Sequence, residues 1–583
     1  MAVYRSDQAQ LTFAAEGGHG GYPELASGVT DGTGSATINM SSGLAAGSRQ
    51  ITVDSLSGLT AGEYIQIGPE VSGSGTTRES EVRRVEYVDG STGLTLDAPT
   101  AFFHADNTNI QVVTAVTAAN KEKLITWVPG VYETVETPDP EMAIEGRYLL
   151  GTNQKRNFFV AYKGQQTFAG SVGGMVLLNG WPLRFPIGKV TSIPVGGTIS
   201  TRTYMSDAKK GDVYITVNSA TNLAAGDMIV IDYAASPAAT DVSEIRRIQA
   251  VNSTVLTLNY PLQFDHTGAG SGTNQVREVA NDQTYYLHDI FETVDLDTMS
   301  WHVHMRDSGE TTANDFDRRY FGGHCGAMSI AADEGGLLTA SWDGVNFQDM
   351  VHNQKISTAY DDNAQVSVAN DAALPGFTFM QSISSGDIGV PSGDLTATDY
   401  TARGFPTSDP YYFSQGSLTM FGVEFARLRS FNISISNGEE PRYYIGAQGK
   451  GTRRHRGPSE IREQQREYSM SASVVLPDSA AAATDTARKI FTELLLEGDY
   501  GTLHTGASMS GFAISLSFTR GTNDSITITI PNDGTAAAGG GEQGAFIRSA
   551  AHAITGDNPL QVDLDILFRN MKIQIKDSEP FYP

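Results

Sequence analysis

Residues 51–67 read ITVDSLSGLTAGEYIQI and residues 215–231 read ITVNSATNLAAGDMIVI, an offset of 164. The match continues with Glu81-Val-Arg-Arg-Val against Glu244-Ile-Arg-Arg-Ile at an offset of 163. Pro99, Phe102 and His104 then match Pro261, Phe264 and His266 at 162. The drift is loop-length change. Segments 48–106 and 211–266 therefore read as two copies of one small β unit. A solenoid needs about three or more stacked repeats, so two separated copies read as insertions into one host domain. The expected division is a discontinuous domain 1–40 + 115–200 + 275–583, a first module 41–114 and a second module 201–274.

Short β-type runs dominate the rest. Gln50–Val53, Tyr64–Ile67, Tyr214–Val217, Met228–Ile231, Leu428–Ile435, Ser525–Ile530 and Met571–Ile575 are rich in Val, Ile, Thr, Phe and Tyr, with Gly, Asn, Asp or Pro between them. From Phe431 the pattern FNISIS places every second residue on one apolar face, which predicts antiparallel sheet with one solvated side. One helix is expected, capped by Asp478 or Ser479 and running to about Glu497. Ala487, Ile490, Phe491, Leu494 and Leu495 would form its apolar stripe, and Gly498 would end it.

Charge narrows the function. Lys plus Arg number 40 against 66 Asp plus Glu, a net charge of −26. Gripping phosphate needs clustered cations, so a general nucleic-acid binder does not fit. A single cysteine excludes a disulfide framework and a multi-thiolate zinc site. The start MAVYRSDQAQ lacks a basic stretch followed by an apolar run, so no secretory signal is read. No window approaches the ~18 apolar residues of a membrane helix, so no membrane insertion is expected.

Catalytic and metal chemistry find little support. His302 and His304 share one face of an expected strand, but no third ligand is set by spacing. His324 adjoins the lone Cys325, yet neighbours on a strand point apart, so a buried thiol is the expectation. His104 and His266 are repeat-equivalent and read as packing or turn residues. Glycine clusters at 17–21, 173–174 and 537–541 lack the strand–loop–helix context of a phosphate site. No catalytic residue, metal ligand or cofactor is assigned.

Several stretches, in order, resemble the major tail tube proteins of long-tailed bacteriophages. They are the opening MAVYRSDQAQLTFAAE, FVAYKGQQTFAGSV within 157–180, Arg318-Arg-Tyr-Phe-Gly-Gly followed by MSIAADEGGLLTASWD, and SLTMFGVEFARLRSFNISISNGEEPRYYIG at Ser417–Gly446. Arg456-Gly-Pro-Ser-Glu-Ile-Arg-Glu and Tyr468–Leu476 follow. The resemblance covers the chain outside the two copies. It implies a mainly β fold, a tail-tube β-sandwich or barrel with one flanking helix, to which the modules would be added. It also implies hexameric rings stacked into a tube through which DNA passes, assembly in the host cytoplasm, and tape measure and tail terminator partners. The inserts would sit outside the tube.

Two residue groups suit that implied role. The segment 449–467 carries Lys450, Arg453, Arg454, Arg456, Arg462 and Arg466, a positive run in an acidic chain. Arginines pair bidentately with carboxylates, so these six are expected at a contact between subunits or rings; a solvated loop and a DNA contact are the alternatives. Asp563 and Asp565 share one strand face, lining the lumen or facing solvent. Negative walls would keep DNA from sticking. The competing readings are a β-rich virion adhesin or carbohydrate-binding protein, with the copies as binding modules, and a glycan-degrading enzyme.

Overall fold

The computed structural model describes residues 4–15, 30–60, 64–67, 81–113, 131–147, 160–200, 203–233, 242–266, 275–307, 316–352, 409–443, 457–475, 511–534, 544–553 and 561–582, with gaps of one to three residues inside some of these spans. The expected helix at 478–497 and the glycine clusters at 17–21 and 537–541 lie outside the described residues.

The chain begins with β1 (Tyr4–Ala15). A first six-stranded sheet follows, built from β2 (Thr30–Thr37), β3 (Gln50–Thr52), β4 (Tyr64–Ile67), β5 (Glu81–Asp89), β6 (Gly93–Leu96) and β7 (Asn109–Val113). Its order is β2-β7-β4-β5-β6-β3. Ile38, Leu44, Ile51, Ile65, Val85 and Leu96 form part of a core of its own.

Next come β8 (Thr134–Glu136), β9 (Pro140–Arg147) and β10 (Val160–Val176), a 3-10 turn at Trp181–Leu183, the short helix α1 (Arg184–Ile187) and β11 (Gly188–Val195). A second six-stranded sheet takes β12 (Thr203–Tyr204), β13 (Tyr214–Thr216), β14 (Met228–Ile231), β15 (Glu244–Asn252), β16 (Val255–Leu258) and β17 (Gln275–Val279), in the order β12-β17-β14-β15-β16-β13. Strand for strand, the two orders correspond. Each sheet takes one strand from outside the boundaries expected from sequence, β2 before 41 and β17 after 274. The motif TDGTGSAT of β2 has few apolar residues to mark it as a strand.

The sheets differ in burial. All four residues of β14 are buried. Ile229 and Ile231 enter the second sheet's own core, while Met228 and Val230 join the main core of the molecule. A strand covered on both faces needs a continuous apolar run, and MIVI is one. The corresponding strand of the first sheet reads YIQI, with Ile65 and Ile67 in its core.

The remaining strands are β18 (Tyr285–Glu292), β19 (Met299–Asp307), β20 (Phe316–Asp333), β21 (Thr339–Asn346), β22 (Asp349–His352), β23 (Gly416–Met420), β24 (Val423–Glu424), β25 (Leu428–Ser436), β26 (Glu440–Arg442), β27 (Glu460–Arg462), β28 (Glu467–Val475), β29 (Ile514–Gly521), β30 (Asp524–Ile530), β31 (Phe546–Ala553), β32 (Gln561–Phe568) and β33 (Lys572–Asp577). They complete a sandwich. One layer has 12 strands, with the path β31-β32-β28-β25-β20-β21-β10-β8; β1, β9, β19 and β22 pair off that path. The other has 7 strands in the order β11-β18-β33-β30-β29-β23-β24. The hairpin β26–β27 stands apart as a two-stranded ladder.

Alternation decides which face enters the core. In β25, Phe431, Ile433 and Ile435 are buried while Asn432, Ser434 and Ser436 are exposed. In β32, Val562, Leu564, Ile566 and Phe568 are buried. The facing layer supplies Leu516, Phe518, Ile526, Ile528, Ile573 and Ile575. Phe431 meets Phe518 between the layers at 5.7 Å.

At one end of the sandwich, the turn Trp181–Ile187 is buried throughout. Trp342 packs edge-on to Trp181 at 6.3 Å and stacks with Trp301 at 6.4 Å, and its Nε1–H donates to Pro182 O at 3.0 Å. The long strands β10 and β20 change partners along their length. In β10 the register on β21 shifts between Val172 and Met175. Gly174 lies there at φ +64, where a Cβ would stand 2.7 Å from Glu133 Cγ.

Candidate functional site

Across β21, β20, β25 and β28 the outer face of the 12-strand layer is largely small polar residues in register, and the exposed Leu567 of β32 follows Ser469 in the first row. Ser341 pairs with Ser329, Ser329 with Ser434, and Ser434 with Ser469, one row across four strands. A second row runs Thr339, Ala331, Asn432, Ser471 and Asp565, and a third runs Asp333, Ser430, Ser473 and Asp563. Their in-between neighbours are the core residues, so the period of two fixes both faces at once. Arg429 on this face sits 3.1 Å from Glu334, and Arg548 2.8 Å from Asp565. The wall is mostly short-chained and hydroxyl-rich, with its two arginines each paired to a carboxylate.

Asp563 and Asp565 thus share the outer face, as their spacing predicts. Asp563 is exposed; Asp565 accepts from Arg548.

The second surface is a hairpin. β9 pairs with the first half of β10, from Val160↔Arg147 to Phe168↔Pro140. No residue of β9 is buried. Ile144 is 66% exposed and Tyr162 is 59% exposed, among the largest apolar exposures in the described residues. A two-stranded ladder open on both faces is marginal in water, and exposed apolar side chains along it suit a contact with another chain.

The basic segment divides. Lys450, Arg453, Arg454 and Arg456 lie outside the described residues. Arg462 is 60% exposed and pairs with Glu460 at 2.7 Å on its own strand. Arg466 lies mostly within the subunit: its side chain is only 10% exposed. Its Nε donates to Asn437 Oδ1 at 2.7 Å, its Nη1 donates to Ile187 O at 3.1 Å, and Glu292 Oε1 lies at 3.5 Å. Those partners hold it within the subunit, tying the end of α1 to the turn after β25.

Histidine and cysteine chemistry resolves along the strands. His302 and His304 lie two apart on β19, opposite Arg319 and Asp317 of β20. Cys325 is buried, which pushes its thiol well above the ordinary range, and its Sγ lies 3.3 Å from Ala327 O. His324 is buried with its Nδ1 3.7 Å from Glu463 Oε1.

His266 is more than a packing residue. Its Nδ1 lies 2.6 Å from Asp232 Oδ2 and its Nε2 2.9 Å from Glu244 Oε1. With a carboxylate at each nitrogen, both must donate, which only the imidazolium does. Burial opposes that charge, but the bonds to Asp232 and Glu244 outweigh it and raise the pKa to about 9. Glu244, fully buried, also contacts Arg246 and accepts from the N–H groups of Gln263 and Phe264. The available signal is the likeness of the two segments, since Glu81, Arg83 and His104 stand at the matching positions of 48–106. Arg83 and His104 are buried there as well.

Among the described residues, no group of three or more His, Cys, Asp or Glu could hold a metal, and no helix is long and apolar enough to cross a membrane.

The chain is thus a β-sandwich with a largely small-polar sheet face and an exposed hairpin that carries Ile144 and Tyr162. A model of the phage tail tube protein family matches residues 88–566, and the chain belongs to that family. It is a structural component of a bacteriophage tail, and its mainly β fold is the one the sequence resemblance implied. The match begins inside β5 and takes in the whole second six-stranded sheet. A comparison with curated proteins gave no match.

Proposed function

We propose that the subunits close into hexameric rings, that the rings stack into the tail tube, and that the Ser-rich face of the 12-strand layer lines a lumen through which DNA passes. The observation that carries this reading is the face itself. Rows such as Ser341–Ser329–Ser434–Ser469 give a wall of mostly short side chains, on which the cations Arg429 and Arg548 are each paired with a carboxylate, Glu334 and Asp565. Phosphate released past such a wall meets weak repulsion from Asp333, Asp563 and Asp565 and little to bind. A net charge of −26 supports the same direction.

The hairpin β9–β10 supports self-association, because a second copy would cover Ile144 and Tyr162. The basic loop around Lys450, Arg453, Arg454 and Arg456, with Arg462 at its foot, is proposed as a further contact between rings. Tape measure and tail terminator proteins are the proposed partners at the tube's ends, and assembly is placed in the host cytoplasm. The two six-stranded sheets are proposed to be inserted modules on the tube's outside. Each has its own core, and neither supplies a strand to the Ser-rich layer.

Cryo-EM of the purified, concentrated protein tests the reading. Tubes with the Ser434 and Ser471 face on the lumen are expected. Persistent monomers, or tubes with that face outside, would overturn it.

A further inference from the structure

We propose that the second six-stranded sheet is an edge cap, closing one side of the 7-strand layer against strand addition by another copy of this chain. β11 ends that layer and pairs within it only with β18. Its other side points away from the layer, and an edge of this kind is a template for uncontrolled pairing.

Each donor position on that side is accounted for. The Gly188 N–H donates to Arg184 O, the last turn of α1 folding back on the strand. The Val190 N–H donates to Gln263 Oε1 at 3.0 Å, and the Ser192 N–H to Ser243 O at 2.9 Å. The next position in the alternation is Pro194, which has no N–H. Two of the three donors therefore end on residues beside the strands of the second sheet, Gln263 in the loop after β16 and Ser243 just before β15.

The loop carrying Gln263 is itself held. Glu244 accepts the N–H groups of Gln263 at 2.9 Å and Phe264 at 3.1 Å, with Arg246 and His266 around the carboxylate. Phe264 stacks on Phe291 of β18 at 6.0 Å, and Lys189 of β11 lies 5.1 Å above the Phe264 ring. The buried charges thus fix a loop whose job is to present one amide oxygen to one strand edge. The first copy has the counterparts Glu81, Arg83, Phe102 and His104, but Ala101 stands where Gln263 does. The capping group belongs to the second copy alone.

Backbone hydrogen exchange of the full chain tests this. In the wild-type protein, Val190 and Ser192 should exchange as slowly as the interior amides of β33; exchange at the rate of an open edge overturns the proposal. Gln263→Met keeps the side-chain length but removes the acceptor. It should speed Val190 exchange about tenfold, the worth of one hydrogen bond. It should also produce irregular, thioflavin-positive aggregates, which Val190→Pro in the same chain suppresses by deleting the exposed donor. Unchanged exchange in Gln263→Met, or aggregation indifferent to Val190→Pro, also overturns it. A chain that forms no tubes yet protects these amides keeps the cap and removes the tube reading.

Discussion

His266 Nε2 lies 2.9 Å from Glu244 Oε1, with both side chains shielded from solvent. The ring's other nitrogen faces Asp232 at 2.6 Å, so the imidazole is held charged with a pKa raised from 6.5 to about 9.

A folded-state pKa above the unfolded one stabilises fully below about pH 6.5, and the contribution fades as pH rises through about 9. The second sheet should therefore loosen between neutral and alkaline pH, by roughly 3 kcal/mol at the limit. Urea melts at pH 6, 7.5 and 9.5 check this. His266→Phe should flatten the dependence over that window, and an unaltered slope in the variant counts against the assignment.

Arg184 and Asp297 form a second buried pair, with side chains 3% and 5% exposed. Burial opposes the Asp297 charge, but Arg184 and Lys210 outweigh it and bring its pKa to about 2. This contribution is present above about pH 3.8 and is lost as pH falls through about 2. Asp297→Ala leaves the guanidinium buried and unpaired, at a cost of about 3–5 kcal/mol. Thermal denaturation of the variant measures it. A loss under 1 kcal/mol, on the scale of a surface pair, would contradict the buried geometry.

Trp342 is fully buried, between Trp181, Phe185 and Trp301. Trp342→Ala should cost about 3–5 kcal/mol through cavity formation, and it also leaves Pro182 O without its indole donor. Calorimetry should show one lowered main transition. The first six-stranded sheet, with a separate core, should keep its own stability.

On the hairpin, Ile144→Asp and Tyr162→Asp change exposed positions. The subunit should stay folded within about 0.5 kcal/mol, while assembly fails or needs far higher protein concentration. Light scattering of growing tubes decides this. Normal growth of the double variant would remove the hairpin from the assembly contact.

Ser434→Arg with Ser471→Arg places two cations on the proposed lumen wall. Tubes should form, but DNA release from virions carrying the variant should slow by about tenfold or more at low salt and recover as salt rises. Release at the wild-type rate would mean that this face does not meet DNA.

Much of this protein was legible along single strands. The alternation in FNISIS and VDLDIL places Ile433 and Leu564 inside and Ser434 and Asp563 outside, because a strand's period is set by backbone geometry alone. The same rule separates His324 from Cys325. Strand pairing was not legible, since which strands meet depends on contacts between residues far apart in the chain. β2 is not legible as a strand, because TDGTGSAT has little apolar signal of its own and becomes one by pairing with β7. Arg466 looked like one more cation of a basic loop, but its partners Ile187 and Glu292 are distant in sequence.

The sequence by itself determined the local period of the strands, the likeness of segments 48–106 and 211–266, the acidic balance and the family resemblance. These are properties of residue type and spacing, carried by short stretches. Only the tertiary structure decided that serines from four separate strands align into one row, that Glu244 and His266 share a buried charge, and that β11 ends against Gln263 and Ser243. The physical reason is the same in each case. Register, desolvation and edge closure arise between segments that meet only once the chain is folded, and no local pattern encodes the partner.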